Sequence, residues 1–502
     1  MASNSYDRFT WQETSPGRWE RDIDEVEEKY TSLAKAYSGT GRVFVAMTGF
    51  ISFSVSIPTG ATREETEERV EKALRLAWLR LRHDHPTIRA RVTYDDAAGR
   101  YRKVYETLAD PAALKSWLDE TFRVVSEGVT GIEWCNSDPP MPAFPTLFLV
   151  KTPSAGGDVI RADLAFRIRH DIIDGMGTLI LFNNLFKHAA EAYKQQSAYI
   201  TPRFGDEWVN LSPPLRVAAS IPPTLTPEHE VHMKETLAFN ASLRENVEVA
   251  SLPFKTENPI PGKHLRVAIT LPAEETSKVL AKCRSAGLSI THAYHAAIAL
   301  AVRDAQERKE STRTVRYISY SLINERAHCD SPYSTSAHPA ALYHSVSGKS
   351  LAIDLTIPSA SDSSTTQCET FAEIAQQVRA FYVDIRDNPE HIFLVPSYWA
   401  MGVLPYPGDG VPPIPARNEA PSVSVSSMGV IDKVIAHRHG DFELENPWVT
   451  GEELGTGLGV FLDTWKGRLT LSAAYNEAWH GEEEVLGYLR RCNEIVKQGL
   501  GV

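Results

Sequence analysis

Long hydrophobic runs, paired cysteines and an excess of positive charge are all missing from this 502-residue chain. No apolar stretch approaches the ~20 residues that a membrane-spanning helix needs. The N-terminal Met1-Ala-Ser-Asn-Ser-Tyr-Asp-Arg lacks the basic and then apolar regions of a secretory signal. The five cysteines, Cys135, Cys283, Cys329, Cys368 and Cys492, are dispersed, odd in number and without a Cys-x-x-Cys pair. Free thiols in a reducing compartment follow, so a soluble, cytoplasmic protein is expected. With a net charge of -12 and no basic stripe, nucleic acid is excluded as a partner. Neither a Gly-x-Ser-x-Gly elbow nor a Gly-x-x-x-x-Gly-Lys-Ser/Thr loop occurs, which removes the usual signals of a serine hydrolase and a P-loop nucleotidase.

What is present suits a two-domain enzyme. The length exceeds what one core usually serves, and 42% hydrophobic residues can fill two. Residues 1–200 read as a first lobe. Its strand at Val43 to Ile57 precedes a helix from Arg63 to Arg82, capped by Thr62 and opened by Glu64 and Glu65. Short strands at His85 to Val92 and Tyr101 to Tyr105 around a turn at Asp95 to Gly99, a strand at Thr146 to Lys151 and a Gly156-Gly157 turn follow. Residues 201–259 lose periodicity and accumulate prolines up to Pro259, as a connection between lobes would, with a short helix near Pro227 to Leu243. Residues 260–502 restart with a strand at His264 to Leu271 and helices at Ala273 to Ala286 and Thr291 to Glu307. An alternating strand at Val315 to Asn324, a helix at Phe371 to Asp387, strands at Ser422 to Ser427, Gly459 to Thr464 and Arg468 to Ala474, and a final helix at Glu482 to Val496 complete this lobe.

One segment carries chemistry: Ala165-Phe-Arg-Ile-Arg-His170-Asp-Ile-Ile-Asp174-Gly175-Met-Gly177. Val159 to Ile168 alternates as a half-buried strand, and Met176, Leu179, Ile180, Phe182 and Leu185 recur with helical spacing. His170 therefore sits where a strand ends and before a helix begins. Such a junction fixes an imidazole on rigid backbone with its edge open to a cleft, as a general base requires. The other candidates read as ordinary structure. His85 precedes Pro86 and ends a helix. Gly455-Thr-Gly457-Leu-Gly459 precedes a strand instead of opening a helix, so a flexible glycine turn is expected there and not a phosphate loop. His292 and His295 share an Ala- and Ile-rich helix with no acidic neighbour, which indicates packing and no metal site. His437 and His439 sit in a polar loop and are expected to be solvated.

The order and spacing of these residues resemble the superfamily of chloramphenicol acetyltransferase, the plant BAHD acyltransferases and the condensation domains of peptide synthetases. Strand-His170-x-x-x-Asp174-Gly175-helix is similar to its active-site motif. His85-Pro86-Thr-Ile-Arg89-Ala, Gly287-Leu-Ser-Ile-Thr-His-Ala, Ser321-Leu-Ile-Asn324-Glu-Arg326 and Val425-Ser-Ser427-Met-Gly429 resemble other parts of it. Condensation domains commonly carry a second histidine where Arg169 stands, and the BAHD Asp-Phe-Gly-Trp-Gly reads Asp441-Phe-Glu-Leu-Glu445 here, so neither branch fits well. The chain is most similar to the fungal trichothecene 15-O-acetyltransferases.

The resemblance implies an α/β fold of two similar lobes, each a mixed sheet flanked by helices, with an active-site tunnel between them. It implies acetyl transfer from acetyl-CoA, a co-substrate and not a resident cofactor, to a hydroxyl of a secondary metabolite, the C-15 hydroxyl of a trichothecene above all. His170 would be the base, with an ordinary pKa near ~6.5 suited to taking and returning a proton. Asp174 would point away from the cleft and pair with Arg326 of the Asn-x-Arg segment, Gly175 and Gly177 would permit the tight turn and close packing, and Ser426, Ser427 and Asn324 would lie near the oxyanion or the substrates. A monomer without metal is expected. A carrier-bound thioester as donor, or a binding module without catalysis, are the alternatives.

Overall fold

The structure, a computed structural model, describes residues 6–38, 40–152, 157–256, 260–361, 368–404 and 413–502. Met1 to Ser5, Gly156 and Pro259 lie outside the described residues. The fold is mixed α/β, built on several sheets. The largest is six-stranded, in the order Arg438–His439, Phe442–Gly451, Met47–Ser56, Val159–Ile168, Thr146–Lys151, Phe122–Val125. Its central strand, Met47–Ser56, alternates Met47, Gly49, Ile51, Phe53 and Val55 toward helices Arg63–Asp84 and Gly175–Gln195. The first of these helices starts where a Thr62–Glu65 capping box satisfies two free amide groups. Leu74, Trp78, Leu164, Phe166, Phe182 and Phe186 fill the core between helices and sheet.

A four-stranded sheet, in the order His264–Thr270, Arg468–Asn476, Leu458–Trp465, Val423–Val430, forms the second half. Helix Ile290–Asp304 packs between helices Phe371–Arg386 and Glu482–Leu500 and against strands Arg313–Ser319 and Leu351–Ile357 of a three-stranded sheet, and residues 293–302 are buried. A helix apolar all round belongs in a core, which explains its alanines. His295 is enclosed there and bonds the hydroxyls of Tyr317 and Tyr382, both at 3.1 Å, so it is a satisfied core histidine. His292 completes the helix cap with Ser289.

Elements cross between the halves. Phe442–Gly451, from the last quarter of the chain, pairs antiparallel with Met47–Ser56. Helix Glu25–Ala36 packs against helix His391–Ala400 in a third apolar cluster that includes Val26, Leu215, Ala341 and Trp399. The proline-rich stretch contributes helix Pro227–Ser242, and it leans on both halves: Tyr105 donates to Glu207 at 2.7 Å and Tyr343 donates to the Pro213 carbonyl at 3.0 Å.

Two expectations require correction. The alternation from Val315 to Asn324 is not one strand. Arg313–Ser319 pairs with Leu351–Ile357, the chain breaks at Tyr320 and Ser321, and Leu322–Asn324 pairs with His344–Val346. The glycine segment 455–459 is not a loose turn either. A side chain on Gly457 would lie 2.8 Å from the Ser422 carbonyl, and the Gly455 amide donates to Glu453 at 2.7 Å. Packing and hydrogen bonding hold it.

Candidate active site

The strand Val159–Ile168 ends two residues before His170, and the helix that follows begins at Gly175. Asp174 is the N-cap of that helix and accepts from the Gly177 amide at 2.7 Å. This cap aligns the helix dipole with a carboxylate, a favourable arrangement. The same carboxylate accepts from Arg326 Nη1 at 2.9 Å and from the Tyr343 amide at 2.9 Å. Burial alone would raise the Asp174 pKa, but the Arg326 guanidinium and His344 beside it hold the carboxyl well below the usual carboxylate range. Asn324 is engaged as well: its Oδ1 accepts from the Arg326 amide at 3.2 Å, so it fixes the arginine. The side chain of Asp174 is 3% exposed and that of Arg326 6%, so this pair is part of the scaffold around the histidine loop.

Gly175 and Gly177 supply clearance. Neither has a left-handed φ, so the turn does not depend on them. A Cβ on Gly177 would lie 2.1 Å from the Pro339 carbonyl, and one on Gly175 would crowd Val449 and Met428 at 3.2 and 3.3 Å. They are small because the helix start is wedged between the loop before Tyr343 and the cavity wall.

His170 itself lines a cavity of about 220 Å³ between the two halves. The wall includes Met47 and Val449 of the large sheet, Ser426 and Phe461 of the four-stranded sheet, and Asn324 at the break near Tyr320. Ser426 and Ser427 both face this space. The strand bulges between Ser427 and Gly429, and Ser427 Oγ lies 2.8 Å from Thr291 Oγ, whereas Ser426 contacts only Met428 Sδ at 3.6 Å. Among the described residues Ser426 is therefore the freer hydroxyl.

Three further side chains shape the site, and sequence reasoning missed them. Tyr30, on helix Glu25–Ala36, stacks on the His170 ring with centroids 3.9 Å apart and planes at 16°. Its hydroxyl lies 2.8 Å from His344 Nε2, and the His344 ring is 5.4 Å from that of His170. Behind the loop, buried Lys103 donates to the Asp171 carbonyl at 2.7 Å and pairs with Glu27, which also takes Arg21 at 2.7 Å. The loop of His170 and the helix of Tyr30 thus share one ammonium. His344 was traceable in principle, because it faces Asn324 across the two-stranded ladder.

The electrostatics of His170 differ from the sequence expectation. Burial and, next, the neighbouring His344 push its pKa down to about 3, against weaker support for the protonated ring from its own backbone, Asp174 and Asp171. Its Nδ1 is buried without a well-formed partner, while Nε2 has no hydrogen bond to any described residue and is left to the cavity. A neutral imidazole with one free nitrogen is what a hydroxyl needs to lose its proton. Among the described residues, no group of three or more His, Cys, Asp and Glu side chains is placed to hold a metal ion, and no helix is long and apolar enough to cross a membrane.

Comparison with known proteins accords with this architecture. The family described as 15-O-acetyltransferase Tri3 matches residues 28–394. The chain belongs to that family. It is an acyltransferase, acting with an acyl donor and a small-molecule acceptor. Acetyltransferase pigO of Monascus ruber is 24% identical over 499 residues, 98% of each chain. The solved structure of the trichothecene 15-O-acetyltransferase TRI3 of Fusarium sporotrichioides superposes with a TM-score of 0.78 at 19% identity, covering 98% of each chain. The first condensation domain of the CDA synthetase follows the same fold at a TM-score of 0.60 and 14% identity, over 96% of each chain. The Tri3-family member described here thus has the mixed α/β fold of the TRI3 and condensation-domain structures.

Proposed function

We propose that this protein moves the acetyl group of acetyl-CoA onto a hydroxyl of a largely apolar secondary metabolite, with the C-15 hydroxyl of a trichothecene sesquiterpenoid as the acceptor. The observation that carries the reading is the His170 imidazole, whose Nε2 no described residue bonds, in a cavity whose walls come from both sheets. Nε2 takes the acceptor proton as the oxygen attacks the thioester carbonyl. The tetrahedral intermediate collapses with cleavage of the C–S bond, and the imidazolium returns the proton to the leaving thiolate. The Ser426 hydroxyl is the donor nearest the developing oxyanion in this scheme, and Ser427 stays with Thr291. Asp174 and Arg326 keep the loop in place and do not touch the reacting atoms. No acyl-enzyme forms, so both substrates must be bound together. Acetyl-CoA is a co-substrate here, no cofactor is resident, and the enzyme works as a cytoplasmic monomer.

Arg169 speaks against a condensation-type reaction on a carrier-bound thioester. It occupies the place of that branch's second histidine and is held by Asp171 at 3.1 Å. Incubation with acetyl-CoA and a panel of hydroxylated terpenoids, read by mass for one added acetyl group, tests the proposal. Product formed only from a carrier-bound donor would refute it.

The low basicity of His170 gives a pH expectation. A base must be neutral, and a histidine with a lowered pKa stays neutral further into acid. With both substrates saturating, kcat should keep its plateau from pH 8 down to about 5, with no fall near the ordinary imidazole value of ~6.5. A clear inflection near that value would show a base of ordinary strength.

A further inference from the structure

The carboxyl of Glu453 shares the cavity with His170, and among the described residues no cation forms a salt bridge with it. Its backbone is fixed on both sides: the amide donates to His264 Nδ1 at 3.0 Å, and the carbonyl accepts from Asn476 at 3.2 Å. One side-chain oxygen, Oε1, accepts from the Gly455 amide at 2.7 Å. The other has no hydrogen bond from any described residue and is not sealed in the protein. The nearby arginines are committed elsewhere, Arg42 to Asp138 and Glu452, and Arg167 to Glu452. Burial raises the Glu453 pKa to about 7, opposed only by the Gly455 and Leu454 amides. A carboxyl kept in a cleft without a cation is costly unless something polar reaches it.

Its position is set by sheet register. Gly451 faces Met47, and Met47 faces Ile168. The ladder continues past Gly451, because the Glu452 amide donates to the Ala46 carbonyl and the Val45 amide to that of Glu452, at 2.7 and 2.9 Å. The pairing stops there: Val45 has a left-handed φ of 55° and His170 lies in the turn after Ile168, so Glu453 and His170 reach the cavity from just beyond the ends of the two strands that flank Met47–Ser56. Val449, Gly451, Glu452 and Glu453 all contribute to the cavity wall, the last two just past the end of the strand. The lining adds apolar surface from Val45, Met47 and Phe461, beside the Tyr320 phenol.

We infer that Glu453 is the acceptor-recognising group: its free carboxyl oxygen hydrogen-bonds a second oxygen function of an apolar, polyoxygenated acceptor whose reacting hydroxyl lies at His170. This rests on the acetyl-transfer reading for the identity of the reacting end, and on the cavity alone for the other. It also defines a substrate class, since an acceptor with a single oxygen leaves the carboxyl unanswered. A site built to bond a polar group discriminates strongly against the analogue that lacks it.

Matched terpenoid pairs, with and without an oxygen remote from the acetylated hydroxyl, provide the test. In the wild type, loss of the second oxygen should lower acceptor kcat/KM by about 10- to 100-fold. In Glu453→Ala the two acceptors should become nearly equal, with KM for acetyl-CoA unmoved, and Glu453→Gln should fall between. An equal decline for both acceptors in Glu453→Ala, or a rise confined to the acetyl-CoA KM, would assign Glu453 to loop support or to the donor and overturn the inference. Calorimetric binding of the same pairs to His170→Ala and to His170→Ala/Glu453→Ala separates this from the reaction itself. Discrimination that vanishes only in the double variant upholds Glu453 even if no acetylated product ever forms. No discrimination by the His170→Ala protein across the panel removes it.

Discussion

Replacing His170 with alanine should lower kcat by about 10²- to 10⁴-fold, the range that a positioned general base contributes. The effect belongs to proton transfer and not to folding. The imidazole bonds no described residue through Nε2, and its main contact is a flat stack on Tyr30. Losing one face of a stack costs little compared with losing the base, so the unfolding midpoint should move by only a few degrees and acetyl-CoA should still bind. Single-turnover acetyl transfer, thermal unfolding and calorimetry with acetyl-CoA measure the three quantities separately. Turnover within a few-fold of wild type would show that the acceptor loses its proton elsewhere.

Asp174→Asn should act mainly through stability, costing about 3–5 kcal/mol, because removing one partner strands a buried charge. The carboxylate now satisfies three donors from separate segments: the Gly177 amide, Arg326 Nη1 and the Tyr343 amide. An asparagine can present only one oxygen to them and turns its own amide hydrogens toward another donor. Arg326 has no slack, since its Nε and Nη2 are already buried without hydrogen-bond partners. Activity should fall with the fold because the helix start no longer fixes the His170 loop. Asp174→Asn/Arg326→Met should recover part of the stability without recovering kcat, since an apolar pair tolerates burial but restores no cap. Denaturant unfolding of the single and double variants decides the first point, and kcat at saturation the second. The pH dependence follows from sign: a carboxyl whose folded pKa is lowered adds stability that is full above the unfolded value of ~3.9 and is lost only as the pH falls below it. The pair therefore persists throughout the range in which activity is measured.

Much of the framework was legible in the sequence because its signals are local. Thr146–Lys151 and Val159–Ile168 have the bounds read from the sequence, although Val159–Ile168 is buried on both faces from Ala162 on and not half-buried as its alternation suggested. Helix Arg63–Asp84 begins at the Thr62 cap and extends two residues past Arg82 before Pro86 ends it. Phe442–Gly451 escaped notice because its alternation lasts only from Phe442 to Glu445 before Asn446, with a left-handed φ, and Pro447 break it, and the register shifts between Glu445 and Trp448 there. The break at Tyr320 escaped for the opposite reason: the alternation continues through it. Within the site, His170, Asp174 and Arg326 stand on recognisable segments. Tyr30, His344 and Glu453 do not, since each gains its role from contacts across the fold. Tyr30 and His344, for example, meet over a separation of 314 residues. The weakened basicity of His170 could not be read either, because it comes from burial and from a histidine on another strand.

The strand Phe442–Gly451 has a further consequence for a chain made from its N-terminus. Met47–Ser56 and Val159–Ile168 can pair as soon as both have left the ribosome, but the other edge of Met47–Ser56 waits for Phe442–Gly451, made much later. Until then the nascent protein carries an open row of amides and carbonyls flanked by Phe50 and Phe53, a template for wrong partners. The same late strand brings Val449, Gly451 and Glu453, so the reaction chamber acquires that wall only as its edge is sealed. Protection of the sheet edge and completion of the chamber therefore fall on one step of synthesis.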